Sequence, residues 1–169
     1  MSVEMTKIAC KVLQKFDGKP VSCYAVAAEN RSQKRSDLMI KAAIFDLDGT
    51  LSDSIMSMKY SGDKTMAEFG YGPFSVQDYK YFVGDGAANL VKRALIKGGD
   101  TELTHFEAAY ARYKEIFQAN CMYQVKPYEG IPKLLEELKK RGMKIAVLSN
   151  KPHHATVDVI ESLFGKGYF

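Results

Sequence analysis

No apolar run in the 169 residues approaches the ~20 needed to cross a bilayer, which argues against a membrane-embedded protein. The first residues, MSVEMTKIACKVLQKF, mix charges and lack a clean apolar stretch ending in small residues, so they do not read as a signal peptide. There is no low-complexity tract. The three cysteines, Cys10, Cys23 and Cys121, are odd in number, widely spaced and without C-x-x-C geometry. They read as idle thiols of a reducing, cytoplasmic compartment, not as a disulfide frame or a zinc site. A basic stripe interleaved with aromatics is also missing, which argues against a nucleic-acid partner.

What is present is the composition of a globular protein, 46% hydrophobic and 26% charged, with a net charge of only +4. Residues 1–38 carry seven Lys/Arg against four Asp/Glu and so account for most of that charge. The chain changes character near Asp37, after the polar, linker-like stretch ENRSQKRSD. Within the first segment, Ile8, Val12, Leu13 and Phe16 fit one weak amphipathic helix, and residues 21–27 a short strand. So short a segment buries little alone, so residues 1–38 are expected to be a poorly ordered extension or a docked accessory piece. Met39 is an alternative start codon.

From Ile40 the pattern sharpens. The apolar run Ala42-Ala43-Ile44-Phe45 ends in Asp46-Leu47-Asp48-Gly49-Thr50-Leu51, as a buried parallel strand reads when it delivers functional groups at its C-terminal end. A second run, residues 144–148, ends in Ser149-Asn150. The helix expected before it over residues 131–141 places Ile131, Leu134, Leu135 and Leu138 on one face, and Gly142 closes it in the left-handed region. Strand, helix and strand of this kind predict an α/β fold with a partial Rossmann-like parallel-sheet core.

Between the strands lies an insert too long for a crossover and long enough for a helical cap. Its expected helices cover residues 54–69, stopped by Gly70, residues 87–97, burying Leu90, Val91, Ala94 and Leu95, and a third opened by a Thr104–Glu107 capping box. The aromatics of the insert, Tyr79, Tyr81, Phe82, Phe106, Tyr110, Tyr113 and Phe117, read as core and lid packing. His105 reads as exposed, and the adjacent His153 and His154 as pointing to different sides of one helix. The domain boundaries follow: 1–38 extension, 39–52 with 129–169 core, 53–128 cap.

Asp46 and Asp48, at i and i+2 where a strand enters a tight turn, are the candidate chemistry. Phosphoryl transfer through an enzyme ester needs a nucleophile and a separate proton donor. Asp46 suits the first role and Asp48 the second. Gly49 lets backbone approach a phosphate, and free amides of the turn, including that of Thr50, are expected to bind oxyanions. Two carboxylates beside a phosphate call for a cation, and hard oxygen ligands from Asp46 and Asp48 point to Mg²⁺. The competing reading is an ordinary Asp turn or a calcium-loop fragment; Leu51 and Ile55 interrupt the latter.

Phe45-Asp46-Leu47-Asp48-Gly49-Thr50-Leu51 resembles the first motif of the haloacid dehalogenase superfamily, and Leu148-Ser149-Asn150 its second, whose hydroxyl and amide bind the transferring phosphate. The insert resembles the cap of the phosphoglycolate phosphatase branch, with Gly84, Asp85 and Gly86 in the position of the loop over the substrate; Ser149-Asn150-Lys151-Pro152 strengthens the likeness. The resemblance covers residues 40–169. It implies a Mg²⁺-dependent phosphate monoester hydrolase acting on a small phosphorylated metabolite, phosphoglycolate favoured, as a monomer or weak homo-oligomer. A phosphosugar mutase and an inactive fragment or binding module are the alternatives; a dehalogenase would dispense with Asp48. The family's third-motif Lys and fourth-motif acidic pair have no counterpart here, so the chain is expected to be a truncated product, unstable if expressed alone. Lys151 is a phosphate-proximal candidate.

Overall fold

The computed structural model describes residues 9–16, 19–26 and 41–169. The apolar run before Asp46 forms β3 (Ala42–Phe45), which pairs in parallel with β6 (Lys144–Val147), setting Ala43 against Ile145 and Phe45 against Val147. Parallel neighbours require a long connection. Here it holds the whole insert and α5 (Ile131–Lys140), with Gly142 following at φ 71°. After β6 comes α6 (His153–Phe164). Ala43, Phe45, Leu47 and Leu51 bury against Ile131 and Leu135 of α5 and Val159 of α6, while Ile145 and Val147 join from the same face of the sheet.

Among the described residues, little covers the opposite face of β6. Lys144 and Ala146 are exposed, and Leu148 is 68% exposed. The second strand therefore alternates between half-buried and exposed and is not buried on both sides, because helices cover a single face of it.

The sheet continues beyond β3. Strands β1 (Ala9–Phe16) and β2 (Lys19–Val26) form an antiparallel hairpin, and β2 pairs antiparallel with β3, giving the order β1-β2-β3-β6. The strand expected over 21–27 is thus present as β2, with Ala27 outside the described residues. The helix expected on Val12, Leu13 and Phe16 is instead strand β1 (Ile8 lies outside the described residues). An eight-residue helix is marginal alone, whereas pairing with β2 satisfies the same backbone groups across a ladder. The linker and Met39 also lie outside the described residues.

The insert supplies α1 (Ile55–Glu68), α2 (Val76–Phe82), α3 (Ala87–Gly98) and α4 (Phe106–Asn120). Where it leaves and rejoins the core, β4 (Ser52–Asp53) pairs antiparallel with β5 (Lys126–Pro127). Its apolar cluster is largely its own: Met66, Tyr79, Phe82, Leu90, Val91, Ala94, Leu95, Tyr113 and Phe117 are all buried. Gly62 on α1 permits the closest approach, since a Cβ there would overlap the Tyr79 ring. Tyr81 departs from the packing expectation at 73% exposed.

Two helix starts differ from expectation. Helix α2, not anticipated, opens with a capping box of Ser75 and Asp78. At α4 the Thr104–Glu107 box does not form. The Asp100 carboxylate instead accepts from the Thr104 amide at 2.8 Å and the His105 amide at 2.9 Å, because the loop folds back to present it. Those amides, that of His105 foremost, hold the Asp100 carboxyl below the usual range against the opposing effect of desolvation.

Candidate active site

Asp46 leaves the end of β3 and Asp48 follows in a turn closed on Leu47, whose carbonyl accepts from the amides of Thr50, Leu51 and Ser52 at 3.3, 3.0 and 2.9 Å. The Gly49 amide donates to the Ser52 carbonyl at 2.9 Å, with Gly49 at φ 80°, a conformation that suits glycine. The amides of Gly49 and Thr50, expected to be free for an oxyanion, are therefore committed to the turn itself. Thr50 is buried beneath the turn and does not line the cavity; Gly49 does.

That cavity, about 640 Å³, is walled by Asp46, Asp48, Ser149, Asn150 and Lys151 from the core. From the insert it is walled by Val83, Gly84, Gly86, Leu90, Tyr113 and Phe117, with Lys80 also lining it. Residues 46 and 149, about a hundred positions apart, are brought to one pocket by the parallel pairing of β3 and β6. Asp85 is not in the wall. Its carboxylate is ion-paired with Arg93, whose guanidinium also donates to the carbonyls of Tyr81 and Phe82 at 3.3 and 3.0 Å. The loop's glycines, and not its acid, face the pocket.

The Asp46 carboxyl is pushed above its ordinary value, mainly by burial and further by the neighbouring Asp48, while the Leu47 amide, 2.7 Å from Oδ1, opposes this. Asp48 is held differently. Its Oδ1 accepts from the Ser54 hydroxyl at 2.6 Å and from Lys151 Nζ at 3.1 Å. Ser54 stands at the N-cap of α1 yet makes no side-chain capping bond there, its hydroxyl being spent on Asp48. Ser54 and Arg93 were not singled out from sequence. A serine at the start of the helix that follows the Asp-x-Asp turn was the available signal for the first; Arg93 acts over a loop closure that no local pattern displays.

Ser149 is not a helix cap, since Pro152 holds that position for α6. Its Oγ accepts instead from the Lys151 amide at 3.2 Å. Asn150 Nδ2 donates to the Gly84 carbonyl at 3.3 Å, a direct contact between the loop after β6 and the loop of the insert. Tyr113, buried beside Asp48, has its hydroxyl held protonated by burial and by that negative charge. Cys121 is a free, buried thiol. His105 is exposed and bonds Tyr71 and Asp100, away from the pocket.

Among the described residues no cluster of three or more His, Cys, Asp or Glu side chains could hold a metal alone. No helix among them is long and apolar enough to cross a membrane. The two oxygen-donor side chains of Asp46 and Asp48 nonetheless suit Mg²⁺, which characteristically takes one or two carboxylates and completes its shell with water and substrate phosphate.

The profile of the haloacid dehalogenase-like hydrolases matches residues 43–169. The phosphoglycolate phosphatase of Agrobacterium fabrum is 35% identical over 129 residues, covering 75% of this chain and 55% of that one. The phosphoglycolate phosphatase of Rhodobacter capsulatus is 33% identical over 136 residues, covering 78% and 60%. A crystal structure from Lactobacillus delbrueckii subsp. bulgaricus, of a candidate phosphoglycolate phosphatase, superimposes with a TM-score of 0.65 at 33% identity, covering 76% of this chain and 62% of that one. The chain thus spans little more than half the length of these curated relatives. Matched along three quarters of its length, and with both aspartates and Ser149 gathered in one pocket, this chain belongs to the haloacid dehalogenase-like hydrolase family.

Proposed function

We propose that this protein hydrolyses the phosphate monoester of a small metabolite, phosphoglycolate being the favoured substrate, through a phosphoryl ester on Asp46. The observation that carries the reading is the single cavity shared by Asp46, Asp48, Ser149 and Asn150 under a roof of Gly84 and Gly86. The named activity of the relatives supports it.

In the first step an Asp46 carboxylate oxygen bonds to phosphorus while the bond from phosphorus to the leaving oxygen breaks, and Asp48 delivers a proton to that oxygen. In the second, Asp48 takes a proton from a water that attacks phosphorus, the Asp46 ester bond breaks, and inorganic phosphate leaves. Ser149 and Asn150 would bind the phosphoryl oxygens, and Gly49, without a side chain, would leave them room. Asp46 and Asp48 would hold Mg²⁺, which when bound offsets the repulsion between the carboxylates and the phosphate. The insert's glycine loop would close over the part of the substrate remote from phosphorus and exclude water.

The test is release of inorganic phosphate from phosphoglycolate and from p-nitrophenyl phosphate with Mg²⁺. Asp46→Asn should lower the rate by at least about 10³-fold, since removing the nucleophile leaves only binding and electrostatic contributions. Turnover by Asp46→Asn at the parent rate would refute the reading.

A further inference from the structure

Among the ion pairs of the described residues, the one between Lys151 and Asp48 holds the most deeply covered cation: the Lys151 side chain is 2% exposed, against 21% or more for the basic side chains of the other pairs. A buried ammonium is costly unless every side of it is matched. Three features match this one. Nζ lies 3.1 and 3.5 Å from the two Asp48 oxygens, and 4.8 Å from the centre of the Phe117 ring, close enough for a cation–π contact. The Lys151 backbone is pinned at both ends, its amide to Ser149 Oγ and its carbonyl by the Thr156 hydroxyl at 3.3 Å.

We infer that Lys151 is a positioning residue: with Ser54 it fixes the Asp48 carboxylate in the pocket beside Asp46, and through Phe117 it makes that hold depend on helix α4 of the insert. Its action on turnover rests on the phosphatase reading above. Two carboxylates so close repel each other, and a carboxylate on a mobile side chain would turn toward solvent. A cation fixed on the core at its backbone and covered by an aromatic ring from the insert removes that freedom. Phe117 is itself 7% exposed, so the ring is set by packing in α4 and cannot follow a moving lysine. The amine is committed to Asp48, so its effect on a substrate is exerted through that acid, not by direct contact with phosphate.

The experiment compares Lys151→Met, Lys151→Arg and Phe117→Leu with the parent chain, using p-nitrophenyl phosphate, Mg²⁺ and inorganic phosphate as competitive inhibitor. Lys151→Met should lower kcat about 10²-fold while KM and the phosphate inhibition constant stay within about threefold. Lys151→Arg should recover part of the loss, and Phe117→Leu should lower kcat less than Lys151→Met does. A tenfold rise in the phosphate inhibition constant with kcat kept would make Lys151 an anion ligand instead and overturn the inference, as would an unchanged kcat.

A second measurement needs neither activity nor a folded variant. Acetic anhydride labelling of the parent chain, read by mass spectrometry, should modify Lys151 at least about tenfold more slowly than exposed Lys140, in keeping with its burial. Equal labelling overturns the inference whatever the enzymology. If the parent hydrolyses no phosphate ester, the phosphatase reading fails and labelling alone decides whether Lys151 is held on Asp48.

Discussion

The insert and the core solve burial in different ways. In the insert, four helices enclose an interior in which Tyr79, Val91, Ala94 and Leu95 show no exposed surface. In the core, α5 and α6 cover one face of β3 and β6, while Lys144, Ala146 and Leu148 on and after β6 remain open to solvent. The part of the molecule that carries Asp46 is thus the less enclosed of the two, and the part that roofs the pocket is closed on itself. A roof with its own interior can keep its shape while the loops that join it to the core move.

The sharpest way to break that comparison is a pair of truncations, Leu95→Ala in the insert and Leu135→Ala in the core, each fully buried. Each should destabilise by about 2–5 kcal/mol in chemical denaturation. If the two interiors are independent, amide exchange should rise mainly in α3 and α4 for the first and mainly in α5 and β6 for the second. Uniform loss of protection from either variant would show a single cooperative unit.

Gly62→Ala tests the packing of the insert at one atom. The added methyl meets the Tyr79 ring, so the variant should lose about 1–3 kcal/mol in urea, with hydrolysis affected less than stability. A variant as stable as the parent would mean that α1 and α2 are more loosely joined than the contact implies.

The smallest effect concerns Asp100. A carboxyl held below its usual value in the native state contributes stability that is present above the unfolded value and lost as pH falls through the native one. Asp100→Asn should therefore melt below the parent at about pH 7, and the gap should narrow progressively as pH falls below the ordinary carboxylate range of about 4. A constant gap across that range would assign the difference to lost hydrogen-bond geometry and not to charge.

Much of the core and most of the insert could be read locally. Helices α1, α3 and α5 fall where apolar spacing and glycine stops set them, because a 3.6-residue period and a left-handed cap are properties of consecutive residues; α4 follows its aromatic spacing without the expected cap. Helix α2 was missed although Ser75 and Asp78 spelled a capping box, the acid being Asp where Glu or Gln is the familiar signature. Strand β1 was read as a helix because Val12, Leu13 and Phe16 fit a weak helical stripe, and only its pairing with β2 decides against it.

The site divides in the same way. That Asp46 and Ser149 reach one pocket was legible because each closely follows an apolar strand, with Asp48 in the turn after the first. The amino-acid sequence by itself determined these positions, helices α1 and α3 of the insert and the turn at Gly49. Only the tertiary structure decided that the Gly49 and Thr50 amides are spent inside the turn, that Asp85 faces Arg93 and not the pocket, and that Asp48 is gripped by Ser54 and Lys151. The reason is physical: a periodic pattern reports which face of an element is buried, whereas a hydrogen bond between residues 48 and 151 exists only once the chain between them has closed.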